Sequence, residues 1–104
     1  IRRLLRRYLS GEMPTLEEVS TMFGITSQTL RRRLRNEGHT YQSLKDGLRC
    51  DTAIELLGRS DLSLVDIAAM VGFSEPSTFH RAFKKWTGLP PGEYRSRSLK
   101  DEFA

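Results

Sequence analysis

Apolar residues recur along this chain at intervals of three and four, the helical period, and never alternate long enough to suggest a strand. In "IRRLLRRYLS" the residues Ile1, Leu4, Leu5, Tyr8 and Leu9 fall on one face with arginines between them, and Gly11 to Pro14 closes the segment. Thr15 opens the next helix. Thr15 and Glu18 have the spacing of a capping box, in which hydroxyl and carboxylate each satisfy a free backbone N–H, and Leu16, Val19, Met22 and Phe23 supply the stripe. Gly24-Ile25-Thr26 breaks the pattern, and a helix from about Ser27 to Asn36 follows, with Leu30 and Leu34 inward and the arginines largely outward. After a second break at Gly38-His39-Thr40, a longer helix is expected from Tyr41 to about Leu57, with Leu44, Leu48, Ile54, Leu56 and Leu57 as its apolar positions. Gly47 inside it costs about 1 kcal/mol relative to alanine.

Beyond the loop Gly58–Asp61 the device returns. Ser63 and Asp66 repeat the cap, Leu64, Ile67, Met70 and Val71 repeat the stripe, and Gly72-Phe73-Ser74 repeats the turn. Ser74 or Glu75 is expected to cap the following helix, with Pro76 in its first turn, where a missing N–H is harmless. Phe79, Phe83 and Trp86 supply its inward face. Pro90-Pro91 starts a last short helix through Tyr94, and "SLKDEFA" is expected to fray. The chain is thus expected to be all-α, with about seven helices. A first lobe spans about 1–40, a linker helix about 41–58 and a second lobe about 59–98, and 99–104 forms a tail.

Aligning Leu16 with Leu64 sets an offset of 48 residues, at which Val19 meets Ile67, Met22 meets Met70, Gly24 meets Gly72 and Ile25 meets Phe73. One residue further on, Leu30 meets Phe79 and Leu34 meets Phe83. Small helix, glycine-led turn, second helix is the spacing of a helix-turn-helix, whose second helix can lie in a DNA major groove. Any two packed helices joined by a short glycine turn look similar. Two copies, each with cations on the outward side of the second helix, favour the DNA reading.

Composition narrows this further. The 104 residues are 38% hydrophobic and 29% charged, with 17 Lys+Arg against 13 Asp+Glu and a formal net charge of +4, so the placement of the surplus matters more than its size. The single cysteine, Cys50, allows no internal disulfide, and with its apolar surroundings it is expected to be an inert packed thiol in a reducing, cytoplasmic setting. No apolar run approaches the roughly 20 residues that cross a bilayer, so no membrane is expected. The first residues contain neither a methionine nor a signal-peptide core, so the chain is expected to be a piece of something longer.

The chemistry on the outward faces suits duplex DNA. Arg31, Arg32 and Arg35 lie on adjacent turns, joined by Gln28 and Ser27. Arginine can clamp guanine O6 and N7, and glutamine adenine N6 and N7. Ser77, Thr78, His80, Arg81 and Lys84 take comparable positions in the second copy, the hydroxyls suiting phosphates and the threonine methyl a thymine methyl. Glu75 could accept from cytosine N4, but a carboxylate favoured by the helix dipole is the preferred reading. The amino ends at Thr15 and Ser63 offer N–H groups to phosphates.

The tandem motif, the joining "YQSLKDGLRCDTAIELL" and the closing "VGFSEPSTFHRAFKKWTGLPPGEYR" resemble the DNA-binding domain of AraC/XylS-family transcription regulators, over about Leu4 to Arg97. The most specific residues are Ile67-Ala68 before Gly72-Phe73, then Phe79, Arg81 to Lys84, Gly88, Pro90-Pro91 and Tyr94-Arg95. Cys50 sits where that family more often has an aliphatic residue. The resemblance implies a bilobal helical domain with two recognition helices in successive major grooves, following a ligand-sensing or dimerisation domain absent here. RNA polymerase is a further partner it implies. It also places base contacts on Gln28, Arg31 and Arg32 in the first lobe and on Pro76, Ser77, Thr78 and Arg81 in the second. Backbone contacts are expected from Thr15, Ser27, Arg35, Ser63, His80 and Lys84.

The rival from another class is a protein-docking module whose basic face meets an acidic partner. Such a surface should show an apolar stripe beyond what the core needs, and neither cationic helix has one. An enzyme is not expected: His39 and His80 have no spaced Cys, Asp or Glu companions for a metal, and Asp61 and Asp66 suit a loop and a cap better than acid–base work. No cofactor is expected.

Overall fold

A computed structural model describes the backbone of residues 1–103 and the side chains of residues 1–98. The helices are α1 (Arg2–Leu5), continued by a 3-10 turn over Arg6–Tyr8, α2 (Leu16–Met22), α3 (Ser27–Asn36), α4 (Tyr41–Leu57), α5 (Leu64–Met70), α6 (Pro76–Thr87) and α7 (Pro91–Phe103). Among the described residues there is no strand. The molecule is elongated, 48 × 25 × 21 Å.

Two separate sets of buried side chains account for that shape. Leu5, Leu9, Leu16, Val19, Leu30, Leu34, Leu44 and Leu48 form one; Ala53, Leu57, Ile67, Ala68, Val71, Phe79 and Phe83 form the other. Helix α4 belongs to both, giving its first half to the first core and its last turns to the second. A 17-residue helix is about 25 Å long at 1.5 Å per residue, so one stiff rod joins the two lobes.

Local chemistry sets the helix ends. The hydroxyls of Thr15, Thr26, Thr40 and Ser63 each accept the N–H three residues on, from Glu18, Thr29, Ser43 and Asp66. The complete capping box is at Thr40, where Ser43 Oγ accepts from the Thr40 N–H in return. The box expected at Thr15 is made only in its Thr15 half. Glu75, not Ser74, is the N-cap of α6, without a side-chain cap bond. At the far end of α4, Arg95 of α7 donates Nε to the Leu57 carbonyl (3.1 Å) and Nη2 to that of Arg59 (3.1 Å), placing a cation on the negative end of the helix.

Three expectations need correction. Met22 and Phe23 are 52% and 49% exposed, and Met70 is 41% exposed. The buried faces of these short helices are set by the i, i+3, i+4 rows Leu16-Val19-Ser20 and Leu64-Ile67-Ala68, with Leu64 itself half-buried. Each methionine lies about 100° round from that face. Ser20 holds its inward place because its hydroxyl donates to the Glu17 carbonyl at 2.7 Å. Phe23 sits past the last helical residue, where the chain already turns out. Finally, α7 does not stop near Tyr94: the Ser96 hydroxyl donates to the Gly92 carbonyl and Arg97 pairs with Glu93 one turn back (3.3 Å), so the helix carries on. The tail expected to fray is instead part of this helix, which runs to Phe103.

Candidate nucleic-acid interface

Helix α3 is oriented by its two buried leucines, Leu30 (2% exposed) and Leu34 (3%). At about 100° per residue, Gln28, Arg31, Arg32 and Arg35 then share an arc of about 100° on the opposite side. All four are exposed, and Ser27 is half-buried at the helix start. Helix α6 repeats the arrangement. With Phe79 and Phe83 fully buried, Ser77, Arg81 and Lys84 fall opposite, flanked by Thr78 and His80. Pro76, Ser77, Thr78, Arg81 and Lys84 are exposed, whereas His80 is half-buried with its ring edge-on to Phe79 at 6.2 Å. Thr15 and Ser63 are exposed, and their hydroxyls already act as caps. Every candidate residue except His80 and Ser27 is therefore open to solvent.

The glycine-led turns aim these helices. Gly24 has φ +67° and Gly72 φ +93°, a left-handed conformation that residues with a β-carbon rarely adopt. Behind α6 an aromatic group fixes its roll: Phe73 lies 5.6 Å from Phe79 and 6.0 Å from Trp86, and Tyr94 stands edge-on to Phe83 at 5.4 Å. In the first lobe the Tyr41 hydroxyl donates to the Pro14 carbonyl at 2.6 Å. Burial, then the charge of Glu18, push its pKa up, so it remains a donor.

Two features of this surface need tertiary contact to be seen. Arg31 is not free: its Nη2 donates to Glu17 Oε1 at 3.2 Å, across the turn from α2. A groove of about 350 Å³ also runs beside α3, lined by Leu16, Arg31, Leu34, Arg35, His39, Thr40 and Tyr41. Glu17 is 14 residues from Arg31, and no helical period links them. The two acids weighed above for acid–base work have other surroundings. Asp61 pairs with Arg59 at 2.9 Å, and that hydrogen bond draws its pKa down. Asp66 donates its backbone N–H to the Ser63 cap. Among the described residues no three His, Cys, Asp or Glu are grouped to hold a metal, and no helix is long and apolar enough to cross a membrane.

Two short helix–turn–helix units in one frame, each presenting a polar, cation-bearing second helix, define a tandem helix-turn-helix domain. A family model described as "Helix-turn-helix domain" matches residues 19–97. The chain is 40% identical over 95 residues to the ornithine utilization regulator of Pseudomonas aeruginosa, covering 91% of this chain and 28% of that protein. The C-terminal domain of AraT, a response regulator from Geobacillus stearothermophilus, superposes with a TM-score of 0.80 at 31% identity, covering 92% of this chain and 80% of that one. The DNA-binding domain of AdpA, a global transcriptional factor whose structure holds a target DNA, superposes with a TM-score of 0.78 at 25% identity, covering 91% and 86%. The chain belongs to the AraC/XylS-type helix-turn-helix family of transcription regulators. It spans about a quarter of the length of the curated relatives it matches.

Proposed function

We propose that this chain binds double-stranded DNA sequence-specifically, as the DNA-binding domain of a transcription regulator, with α3 and α6 in successive major grooves. The observation that carries the reading is the matched pair of outward arcs. Gln28, Arg31, Arg32 and Arg35 on one helix, and Ser77, Arg81 and Lys84 on the other, lie opposite buried apolar faces and are joined by one rod. Gln28, Arg31 and Arg32, and in the other lobe Pro76, Ser77, Thr78 and Arg81, read base edges. Thr15, Ser27, Arg35, Ser63, His80 and Lys84 hold the sugar-phosphate backbone. The lobes are about 1–40 and 59–98, with about 41–58 as the link. Pro76 has no side-chain donor, so α6 reads fewer bases than is usual for a second recognition helix of this family. In this reading the parent protein also carries an effector-sensing domain, meets RNA polymerase and works in the cytoplasm; the Pseudomonas relative, of which the chain spans 28%, is long enough for a further domain.

The docking-module alternative is disfavoured by where the exposed apolar residues lie. Met22, Phe23, Val65 and Met70 sit on α2 and α5 or at their ends, and none is on α3 or α6. The test is binding to duplex pools against salt. A specific duplex should be enriched, and log affinity should fall linearly with log salt, with a slope of about −0.9 per phosphate neutralised. An acidic protein of similar charge should not compete. Equal binding of that protein, with no sequence enriched, would overturn the reading.

A further inference from the structure

The two turn glycines hold the same backbone conformation in very different surroundings. A β-carbon built on Gly24 would meet nothing within 4 Å. One built on Gly72 would run into the backbone carbonyl oxygen of Leu9, in the other lobe, and would lie 3.5 and 3.6 Å from Nε and Nη2 of Arg49 on the linker helix. The second lobe's turn is therefore seated directly on the first lobe's opening segment, beside α4. Leu9 is itself anchored in the first core, at 8% exposure. Arg49 Nε is buried at this junction without a hydrogen-bond partner among the described residues, an exception to the pairing that buried polar groups usually have.

From this contact we infer that Gly72 is a positioning residue between the lobes: by letting the second turn touch the Leu9 carbonyl, it fixes the separation and angle of α6 relative to α3. A single helix leaves the lobes free to bend and twist about its ends. A second tie, away from the helix axis, removes that freedom. Gly72 leads straight into α6, so its seating is passed to the recognition helix within one turn. For DNA this sets which spacing between half-sites is accepted, a consequence that rests on the DNA-binding reading; the docking of the lobes does not.

The free protein tests the docking. In a Cys50→Ala background, spin labels at Glu37→Cys and Ala69→Cys, both exposed positions, report the distance between lobes. The parent should give one narrow distribution. Gly72→Asn keeps a residue type that tolerates positive φ but adds the intruding β-carbon, so the distribution should broaden or shift. Gly24→Asn, carrying the same backbone demand in open space, should leave it unchanged. A broad distribution in the parent overturns the inference even if Gly72→Asn fails to fold, and so does a folded Gly72→Asn that superimposes on the parent. On a duplex enriched from a random pool, the parent should lose about tenfold or more in affinity when one or two base pairs are inserted between half-sites, and Gly72→Asn far less. If the parent enriches no duplex, the DNA reading fails while the distance measurement still decides the docking.

Discussion

On the proposed DNA-binding reading, Arg31 must leave Glu17 before it can reach a base, and this separates two arginines that the sequence makes look alike. The pair is a single Nη2–Oε1 contact at 3.2 Å, with side chains 53% and 64% exposed. At such exposure water screens the attraction and the bond is worth about 0–1 kcal/mol. A bidentate arginine–guanine contact gives about 1–3 kcal/mol of discrimination. Arg32, one residue on, is exposed and has no acidic partner among the described residues. Arg32→Ala should therefore cost the whole contact, about 5- to 150-fold in affinity for the preferred site. Arg31→Ala should cost less by up to about 1 kcal/mol, because the wild-type side chain spends that much to leave Glu17. Glu17→Gln should tighten binding by up to about fivefold. The assay is fluorescence anisotropy on an enriched duplex at fixed salt, run as a double-mutant cycle. In an Arg31→Ala background, Glu17→Gln should keep only the general gain from removing a negative charge near phosphates. Weaker binding by Glu17→Gln would mean the carboxylate holds Arg31 in its working pose. An equal gain in both backgrounds would mean that Glu17 acts through its field alone and the competition does not exist.

Phe83→Ala removes a fully buried ring that packs on Phe79 (5.7 Å) and Tyr94 (5.4 Å) and should cost about 3–5 kcal/mol, most of what so small a lobe has. Thermal melts should show the second lobe lost first, with the Leu-rich first core persisting; an unchanged melting temperature would refute the packing. Burial, then the neighbouring Asp51, push the Cys50 thiol up, so at neutral pH less of it is thiolate and iodoacetamide should alkylate it more slowly than a free cysteine. Alkylation at or above the free-thiol rate would place Cys50 in a different environment. Because one rod of about 25 Å joins the lobes and major grooves recur about every 34 Å, one chain should bind an asymmetric site with unlike elements about one turn apart. Inserting about five base pairs should turn one element to the far side of the duplex and leave single-lobe affinity, and equal binding at all spacings would exclude a rigid tandem.

What was legible in the sequence is what short-range physics decides. The limits of α3 and α4 follow from the breaks Gly24-Ile25-Thr26 and Gly38-His39-Thr40, in which Gly38, at φ +81°, is the stop and the structure adds Thr26 and Thr40 as caps. Leu30, Leu34, Phe79 and Phe83 were legible as inward residues because each pair recurs at i, i+4 against polar neighbours. Met22 and Met70 misled for the same reason: over only seven residues a stripe is ambiguous, and the apolar residue draws the eye over Ser20 and Ala68, which take the buried place. The extension of α7 depends on weak side-chain contacts between turns, which no stop signal opposes. The Glu17–Arg31 pair and the seat of Gly72 on Leu9 join residues 14 and 63 positions apart, and periodicity carries no information at that range.

The repeat thus has equal geometry and unequal chemistry, and the inequality has a physical logic. The first lobe has an aliphatic core and puts four arginines on ten residues of α3, where their mutual repulsion is eased by exposure and by Glu17. The second lobe backs Phe79, Phe83 and Trp86 of α6 with Phe73 and Tyr94, caps the rod with Arg95 and seats its turn on Leu9, while the front of α6 offers a proline and two hydroxyls before its first arginine. Rigid backing suits a helix whose readout relies on short side chains, because a hydroxyl or a methyl cannot stretch to correct a misplaced backbone. Long arginines, in the proposed reading of α3, tolerate such error. The shorter the reading side chains, the more the frame behind them must fix, and here the aromatic backing, the Arg95 cap and the Gly72 contact all lie on the side of the short ones.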